Sequence, residues 1–239
     1  MSIATTLDEQ VRRAMLWAAA ASLVTGVIQF FLPLDVPDGY SATLSERAAW
    51  LSANTGPVIF GWLNQVVAML SLSAVFGGIA WQVARTNPLQ SILSVAMTAL
   101  ASMAFFINKF MAIWTIPFLA DALTTGSNQS EMAGILLPTL NVTIPFSLFT
   151  SLDYLGFWLY SLAALLVARP MLQGAPAAKV IGVMLAAFGI LYHGMIGGVL
   201  GGAIRAAEIE FYVAVVALFL LVMMVAVLVL FRNPAAARD

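Results

Sequence analysis

The sequence predicts an all-α membrane protein, a bundle of six transmembrane helices, and two features of its composition and order predict this fold. Of its 239 residues, 62% are hydrophobic and only 9% are charged, whereas soluble domains carry about 45–50% apolar and about 25% charged residues. Six apolar runs are each long enough to form a helix of about 20 residues that crosses a bilayer. We therefore expect a single transmembrane domain over residues 1–239 rather than a soluble globule.

The predicted spans are separated by prolines, glycines and charged residues. They cover residues 13–32, 58–84, 91–116, 146–168, 180–204 and 211–231, with longer external loops at residues 33–57 and 117–145. The fourth span has the least regular start, because Pro138 and Pro145 each lack the backbone N–H that a helix uses. A bent or re-entrant segment is therefore expected over residues 137–147.

The positions of arginine and lysine predict the orientation, because cytoplasmic loops carry an excess of these residues. Basic residues stand before the first span, after the second, around the fourth-to-fifth connection and after the sixth: Arg12, Arg13, Arg85, Arg169, Lys179, Arg232 and Arg238. The other side carries only Arg47 and Arg205, among a larger number of acidic residues. Both termini are therefore predicted in the cytoplasm, with the protein in a bacterial inner (cytoplasmic) membrane. A cleaved signal peptide is the competing interpretation of the first segment.

Two external segments carry helical signals. Thr43-Leu-Ser-Glu46 has the form of a capping box and predicts a short helix through Leu51 that stops near Gly56-Pro57. Residues 127–136 are compatible with a second helix over the outer face. For both segments the alternatives are a lid over a site and a plain connecting loop.

Three ionisable residues are predicted well inside spans, where each costs on the order of 2.5–3.5 kcal/mol on insertion scales. They are Lys109 on the third span, Asp153 on the fourth and His193 on the fifth. At about 1.5 Å per residue, Lys109 and His193 lie about 12 Å and about 16 Å inside the outer ends of their helices. Asp153 lies about 24 Å from the cytoplasmic end of its helix, so all three are expected in the outer half or near the midplane.

Three interpretations of these residues stay open at the level of sequence. The first is a structural salt bridge between Lys109 and Asp153 that fixes the order of the helices. The second is a pocket towards the outer leaflet, in which Asp153 is a candidate catalytic acid or base and His193 its proton-relay partner. In that pocket Lys109 is the candidate charge that sets the pKa of the acid or binds an anionic group. The third is a lysine that snorkels towards the interface.

Uncharged polar and aromatic side chains are predicted at a similar depth. The candidate ligand-binding residues are Asn64, Gln65, Asn108, Tyr154, Trp158 and Tyr192. The inner parts of the fourth, fifth and sixth spans carry almost no polar side chain, so the polar groups concentrate towards the outer side. For tryptophans near span ends, Trp62 and Trp158 among them, the alternative is an interfacial aromatic belt.

Weakly polar stripes run along the second and third spans. One face of the third span carries Ser91, Ser94, Thr98, Ser102 and Lys109, and one face of the second carries Asn64, Ser71, Gly78 and Gln82. A permeation path would need such stripes. Small polar residues are also the ordinary packing residues between helices in lipid, and the sequence favours this second interpretation.

Several classes of function are disfavoured by what the sequence lacks. Zero cysteines exclude cysteine-ligated clusters and thiol catalysis, and a single histidine argues against a multi-histidine metal or haem site. No GxxxxGK[ST], HExxH or GxSxG sequence occurs. A net charge of −1 provides no basic footprint for nucleic acid. We therefore predict no metal, no cofactor and no nucleic-acid partner.

The depth of the polar residues favours an integral membrane protein whose outer-half pocket binds a lipophilic or amphipathic small molecule, with acid–base chemistry on that molecule left open. One alternative is a small transporter or channel that uses Lys109, Asp153 and His193 as a gate. The other is a non-catalytic subunit of a membrane complex. Membrane lipids are the expected partners, and a homo-oligomer or a larger complex is compatible with the sequence.

Overall fold

The structure, a computed structural model, describes residues 3–232, with side chains described from residue 6 onward. Among these residues it consists of helices and connecting turns, without a strand. Six helical segments are long and apolar enough to cross a membrane, which confirms the predicted class and number of spans. Six such helices are consistent with an integral membrane protein. The cytoplasmic location of the termini stays a prediction, and Arg238 lies outside the described residues.

The described helices follow one another along the chain with short connections. In order they are α1 (Ile3–Gln29), α2 (Leu44–Ala53), α3 (Thr55–Ala84), α4 (Pro88–Phe110), a π-helical turn (Met111–Thr115), α5 (Ile116–Thr125), α6 (Ser130–Thr139), α7 (Leu148–Gln173), α8 (Pro176–Leu200), a 3₁₀ turn (Ala206–Glu208) and α9 (Ile209–Leu230).

The ends of the spans differ from the predicted ends for identifiable reasons. α1 begins well before the predicted span because its polar first turns are also helical. An apolar pattern predicts only the part of a helix that lies in lipid. α8 begins at Pro176, since a proline in the first turn needs no N–H partner. α7 begins two residues later than expected because Phe146 has a left-handed φ of 66°, outside the helical region.

The third span is longer than predicted, because the helical chain continues past Pro117 to Thr125. Pro117 cannot donate a backbone hydrogen bond, and its ring would collide with the carbonyl four residues earlier in a regular helix. The π-helical turn widens the chain just before this point, and the Ile116 N–H bonds to the Met111 carbonyl five residues back. The predicted loop at residues 117–145 therefore contains α5 and α6.

The described residues form two compact units. Unit 1 comprises the described parts of Met1–Val24, Met69–Ser102 and Phe157–Asp239, and unit 2 comprises Thr25–Ala68 and Met103–Gly156. In unit 1, α8 packs along α9. There, Gly189 of α8 lies against Leu165 of α7, so closely that an added Cβ would come within 2.5 Å of that side chain.

Unit 2 contains a layer of three short helices, α2, α5 and α6, which we call the cap. α5 packs against both α2 and α6, and their apolar residues share one buried core. This core also includes Trp62 of α3 and Phe149 of α7. The cap is therefore packed directly on aromatic side chains of two spanning helices.

A buried arginine joins the parts of the cap. The Arg47 side chain on α2 donates from Nε to both carboxylate oxygens of Asp35, at 3.0 and 2.8 Å. Its Nη1 and Nη2 donate to the carbonyls of Leu137 and Leu140 at the end of α6, at 3.0 and 3.4 Å. Burial raises the pKa of Asp35, and the Arg47 guanidinium and the Val36 amide oppose that rise. Arg47 thus satisfies the last carbonyls of α6, which have no partner within the helix.

The start of α2 confirms the predicted capping box. The Thr43 hydroxyl accepts from the Glu46 amide, and the Glu46 carboxylate accepts from the Thr43 amide. The predicted end of this helix near Gly56-Pro57 is wrong: the chain breaks at Asn54, and α3 begins at Thr55. Gly56 and Pro57 instead lie in the first turn of α3, where a proline loses no helical hydrogen bond.

Removing Arg47 should unfold the cap more readily. In Arg47→Met the four hydrogen bonds are lost and the Asp35 carboxylate is left buried, so we expect a loss of about 3–5 kcal/mol in the free energy of unfolding in detergent micelles. Asp35→Asn should cost a similar amount, because it leaves the buried Arg47 guanidinium without its anion. The control is Arg205→Met, whose side chain is 81% exposed and should leave stability unchanged. Equal effects of the two arginine variants would contradict this role.

Candidate functional site

Lys109 and Asp153 form an ion pair in unit 2. Lys109 lies in the last turn of α4 and Asp153 in the second turn of α7, and Lys109 Nζ donates to Asp153 Oδ1 at 2.6 Å. The two side chains are unequally enclosed: Lys109 is 5% exposed and Asp153 is 23% exposed. The ammonium is therefore inside the unit, and the carboxylate forms the accessible edge of the pair.

Three aromatic rings surround the ammonium. Its nitrogen lies 5.1 Å from the centroid of the Trp62 ring, 5.5 Å from that of Phe105 and 5.6 Å from that of Phe149. All three side chains are buried. We call these rings the aromatic cage, because cation–π attraction at such distances favours a positive charge between them.

The rings of the cage contact one another and neighbouring residues. The Trp62 indole N–H donates to the Leu34 carbonyl at 3.0 Å, and its ring meets Phe149 edge-on at a centroid distance of 5.1 Å. Phe105 of α4 lies against Gly156 of α7, where a Cβ would come within 2.6 Å of the ring. Only a glycine at position 156 lets Phe105 approach α7 this closely.

Asn108 precedes Lys109 in α4 and is fully buried. Its Nδ2 donates to the Phe149 carbonyl at 3.4 Å. Among the described residues no group donates to its Oδ1, which is buried as well. A buried amide oxygen without a partner is costly, so Asn108 marks a place where a donor is missing.

His193 has its described partners in unit 1. The Trp158 indole N–H donates to Nε2 at 3.1 Å, and Nδ1 lies 2.8 Å from the Gly189 carbonyl. An indole nitrogen only donates, so Nε2 accepts and the proton is on Nδ1, which donates to Gly189. Residues of α7 and α8 thus bond to both ring nitrogens. Neither Lys109 nor Asp153 is among the described partners of His193.

The remaining candidate residues fall into structural contacts of each unit. In unit 2, Asn64 Nδ2 donates to the Thr25 carbonyl and to Gln29 Oε1, at 2.9 and 3.0 Å, so it satisfies the end of α1. Gln65 and Tyr154 are half-buried. In unit 1, Tyr192 is buried against Phe188 and Phe157, and Trp158 is 40% exposed.

The hydroxyls of the α4 stripe are engaged in helix packing. Ser91 and Ser94 donate to the carbonyls of Ala80 and Ala163, at 2.7 and 3.1 Å. Thr98 and Ser102 donate to carbonyls one turn earlier in α4, both at 2.8 Å. Backbone carbonyls therefore take up these hydroxyls, as the packing interpretation requires.

Sequence reasoning missed the aromatic cage. It treated Trp62 as a belt residue, but the side chain is buried at the ion pair. A usable signal was present, because Phe105 precedes Lys109 by four residues and Phe149 precedes Asp153 by four. Residues four apart share a helix face, so each ionisable group has an aromatic neighbour one turn away.

Comparisons with known protein families, with curated proteins and with solved structures find no match to this chain.

The ion pair should show strong energetic coupling. Lys109→Met leaves the Asp153 carboxylate without its cation, and Asp153→Asn leaves the ammonium without its anion, so each should lower the free energy of unfolding by about 3 kcal/mol. The double variant should regain a large part of that loss, because neither charge is then unpaired. Lys179→Met and Asp121→Asn, both exposed, are the controls. Additive losses, measured by unfolding in detergent micelles, would show that the two groups do not interact.

Proposed function

We propose that this integral membrane protein binds a lipophilic or amphipathic molecule at the Lys109–Asp153 pair, with the polar end of the molecule at Asp153. The observation that carries the proposal is the unequal enclosure of the pair, 5% against 23% exposed. Charges inside apolar spans are costly, so a purely structural pair would be expected to enclose both partners. Here the carboxylate keeps an open edge.

The hydrogen bonding of Asp153 supports this role. Oδ1 accepts from Lys109, whereas Oδ2 accepts no hydrogen bond from any residue that the structure describes. A carboxylate oxygen retains most of its capacity to accept hydrogen bonds, so an unused one favours a bound donor. Lys109 holds the other oxygen and thereby fixes the direction of the open one.

The position of Asp153 along α7 suits an amphipathic ligand. It lies five residues after the start of α7, which is about 7.5 Å along the helix axis. A headgroup at this level leaves an apolar tail beside the remaining turns of an apolar helix. Any proton exchange with the ligand would use Asp153, and His193 is left out because both of its nitrogens are engaged.

The alternative of a transport route along α3 and α4 has less support. Such a route needs polar groups that are free to contact the passing solute. The Ser94 hydroxyl is instead fully buried and bonded to the Ala163 carbonyl. A subunit role remains the second candidate, since the Lys109–Asp153 pair also links α4 to α7 within unit 2.

Asp153→Asn tests the binding proposal, because it keeps the shape of the side chain and removes its charge. We expect the amphiphile that copurifies with the wild-type protein in mild detergent to be reduced at least about tenfold in this variant, as for the loss of one charge-assisted hydrogen bond. Native mass spectrometry measures the occupancy of the bound mass.

The matched control is Asp121→Asn, which removes an exposed carboxylate from α5 and should leave the occupancy unchanged. Circular dichroism and the melting temperature show whether both variants are folded. A wild-type protein without any bound amphiphile, or a folded Asp153→Asn variant with full occupancy, would refute binding at this site.

A further inference from the structure

The accessible edge of the ion pair offers an acceptor to a ligand. Asp153 Oδ2 and Asn108 Oδ1 are both acceptors, and no described residue donates to either. One N–H of the Lys109 ammonium donates to Asp153 Oδ1, and its nitrogen otherwise lies among the rings of the aromatic cage. A ligand that binds Asp153 Oδ2 must bring a donor, because a carboxylate oxygen only accepts.

The charges at the site favour a cation over an anion. An anionic headgroup would have to reach Lys109, which is 5% exposed, and would face the Asp153 carboxylate at the accessible edge. A cationic headgroup meets that carboxylate directly. One carboxylate can serve two cations through its two oxygens, so Lys109 on Oδ1 and a ligand on Oδ2 are compatible.

The aromatic cage already holds one positive charge, the Lys109 ammonium, which donates to Asp153. The faces of aromatic rings attract cations and repel anions. Trp62, Phe105 and Phe149 place three rings within 5.6 Å of the nitrogen of Lys109. A carboxylate with several aromatic rings is the combination that recognises organic ammonium groups, and in this structure the lysine side chain occupies it.

We propose that the amphipathic ligand carries an ammonium headgroup that binds Asp153 Oδ2, and that Lys109 is a built-in competitor for the same carboxylate and cage. This inference rests on the proposed function and names the ligand class of that site. Lys109 then lowers the affinity of the site for the ligand. Its ammonium occupies the cage and one carboxylate oxygen, so an external cation must share Asp153 with it. Because the two cations repel each other, the ligand binds more weakly than it would without Lys109.

The test compares three probes that have the same alkyl chain and different headgroups: decylammonium, decanoate and decanol. Binding to the purified wild-type protein in dodecyl maltoside micelles at pH 7 is measured by calorimetry. We expect decylammonium to bind at least about tenfold more tightly than decanol, and decanoate more weakly than decanol. Asp153→Asn should abolish the preference for decylammonium, and Asp121→Asn should preserve it.

Lys109→Gln separates the two signs of charge. For a cationic ligand, removal of the competing ammonium should tighten decylammonium binding by about tenfold. For an anionic ligand, the same variant should lose decanoate binding. Lys179→Gln, which removes an exposed lysine, should change neither affinity.

The outcomes distinguish this inference from the proposed function. Tighter binding of decanoate than of decylammonium, lost in Lys109→Gln, overturns the ammonium headgroup and leaves an amphiphile site. Identical binding of all three probes to wild type and to Asp153→Asn overturns both. If Lys109→Gln does not fold, the inference is tested by two results alone. These are the preference of the wild-type protein for decylammonium and the loss of that preference in Asp153→Asn.

Discussion

The enclosure of one lysine ammonium is the constraint around which unit 2 is organised. A positive charge in an apolar span has to be neutralised and surrounded, because a low-dielectric environment does not solvate it. Asp153 supplies the opposite charge from α7, and the aromatic cage supplies π faces from α3, α4 and α7. Three helices must therefore converge within unit 2 at Lys109. Gly156 contributes by letting Phe105 lie against α7.

The cap continues this organisation in the short helices α2, α5 and α6. Trp62 and Phe149 belong both to the aromatic cage and to the apolar core of α2, α5 and α6. Arg47 joins α2 to Asp35 and to the end of α6. A change in the ion pair would be felt by two side chains of the cap core. Trp62 and Phe149 therefore connect the cap to the candidate site.

Composition and local rules predict much of this structure, and contacts between helices account for the remainder. The six spans follow from apolar length, and the capping box follows from Thr43 and Glu46 alone. The proximity of Lys109 and Asp153 was a prediction from depth along two helices. The cage depends on how α3 is rotated towards α4, which no single-helix pattern contains. The π-helical turn likewise depends on how the helix accommodates Pro117, which an apolar pattern does not predict.

An accessible carboxylate oxygen distinguishes the candidate site, whereas a buried polar atom without a partner does not, because Gln90 Oε1 in unit 1 is another one among the described residues. In an apolar environment a buried polar group without a partner is costly, so a fold that serves only stability should pair each one. The hydroxyls of Ser94 and Thr98 are paired with carbonyls, and both nitrogens of His193 are engaged. Asp153 Oδ2 and Asn108 Oδ1 have no donor among the described residues. Asp153 Oδ2 lies at the accessible edge of the ion pair, so the ligand that we propose supplies the donor that the described residues do not.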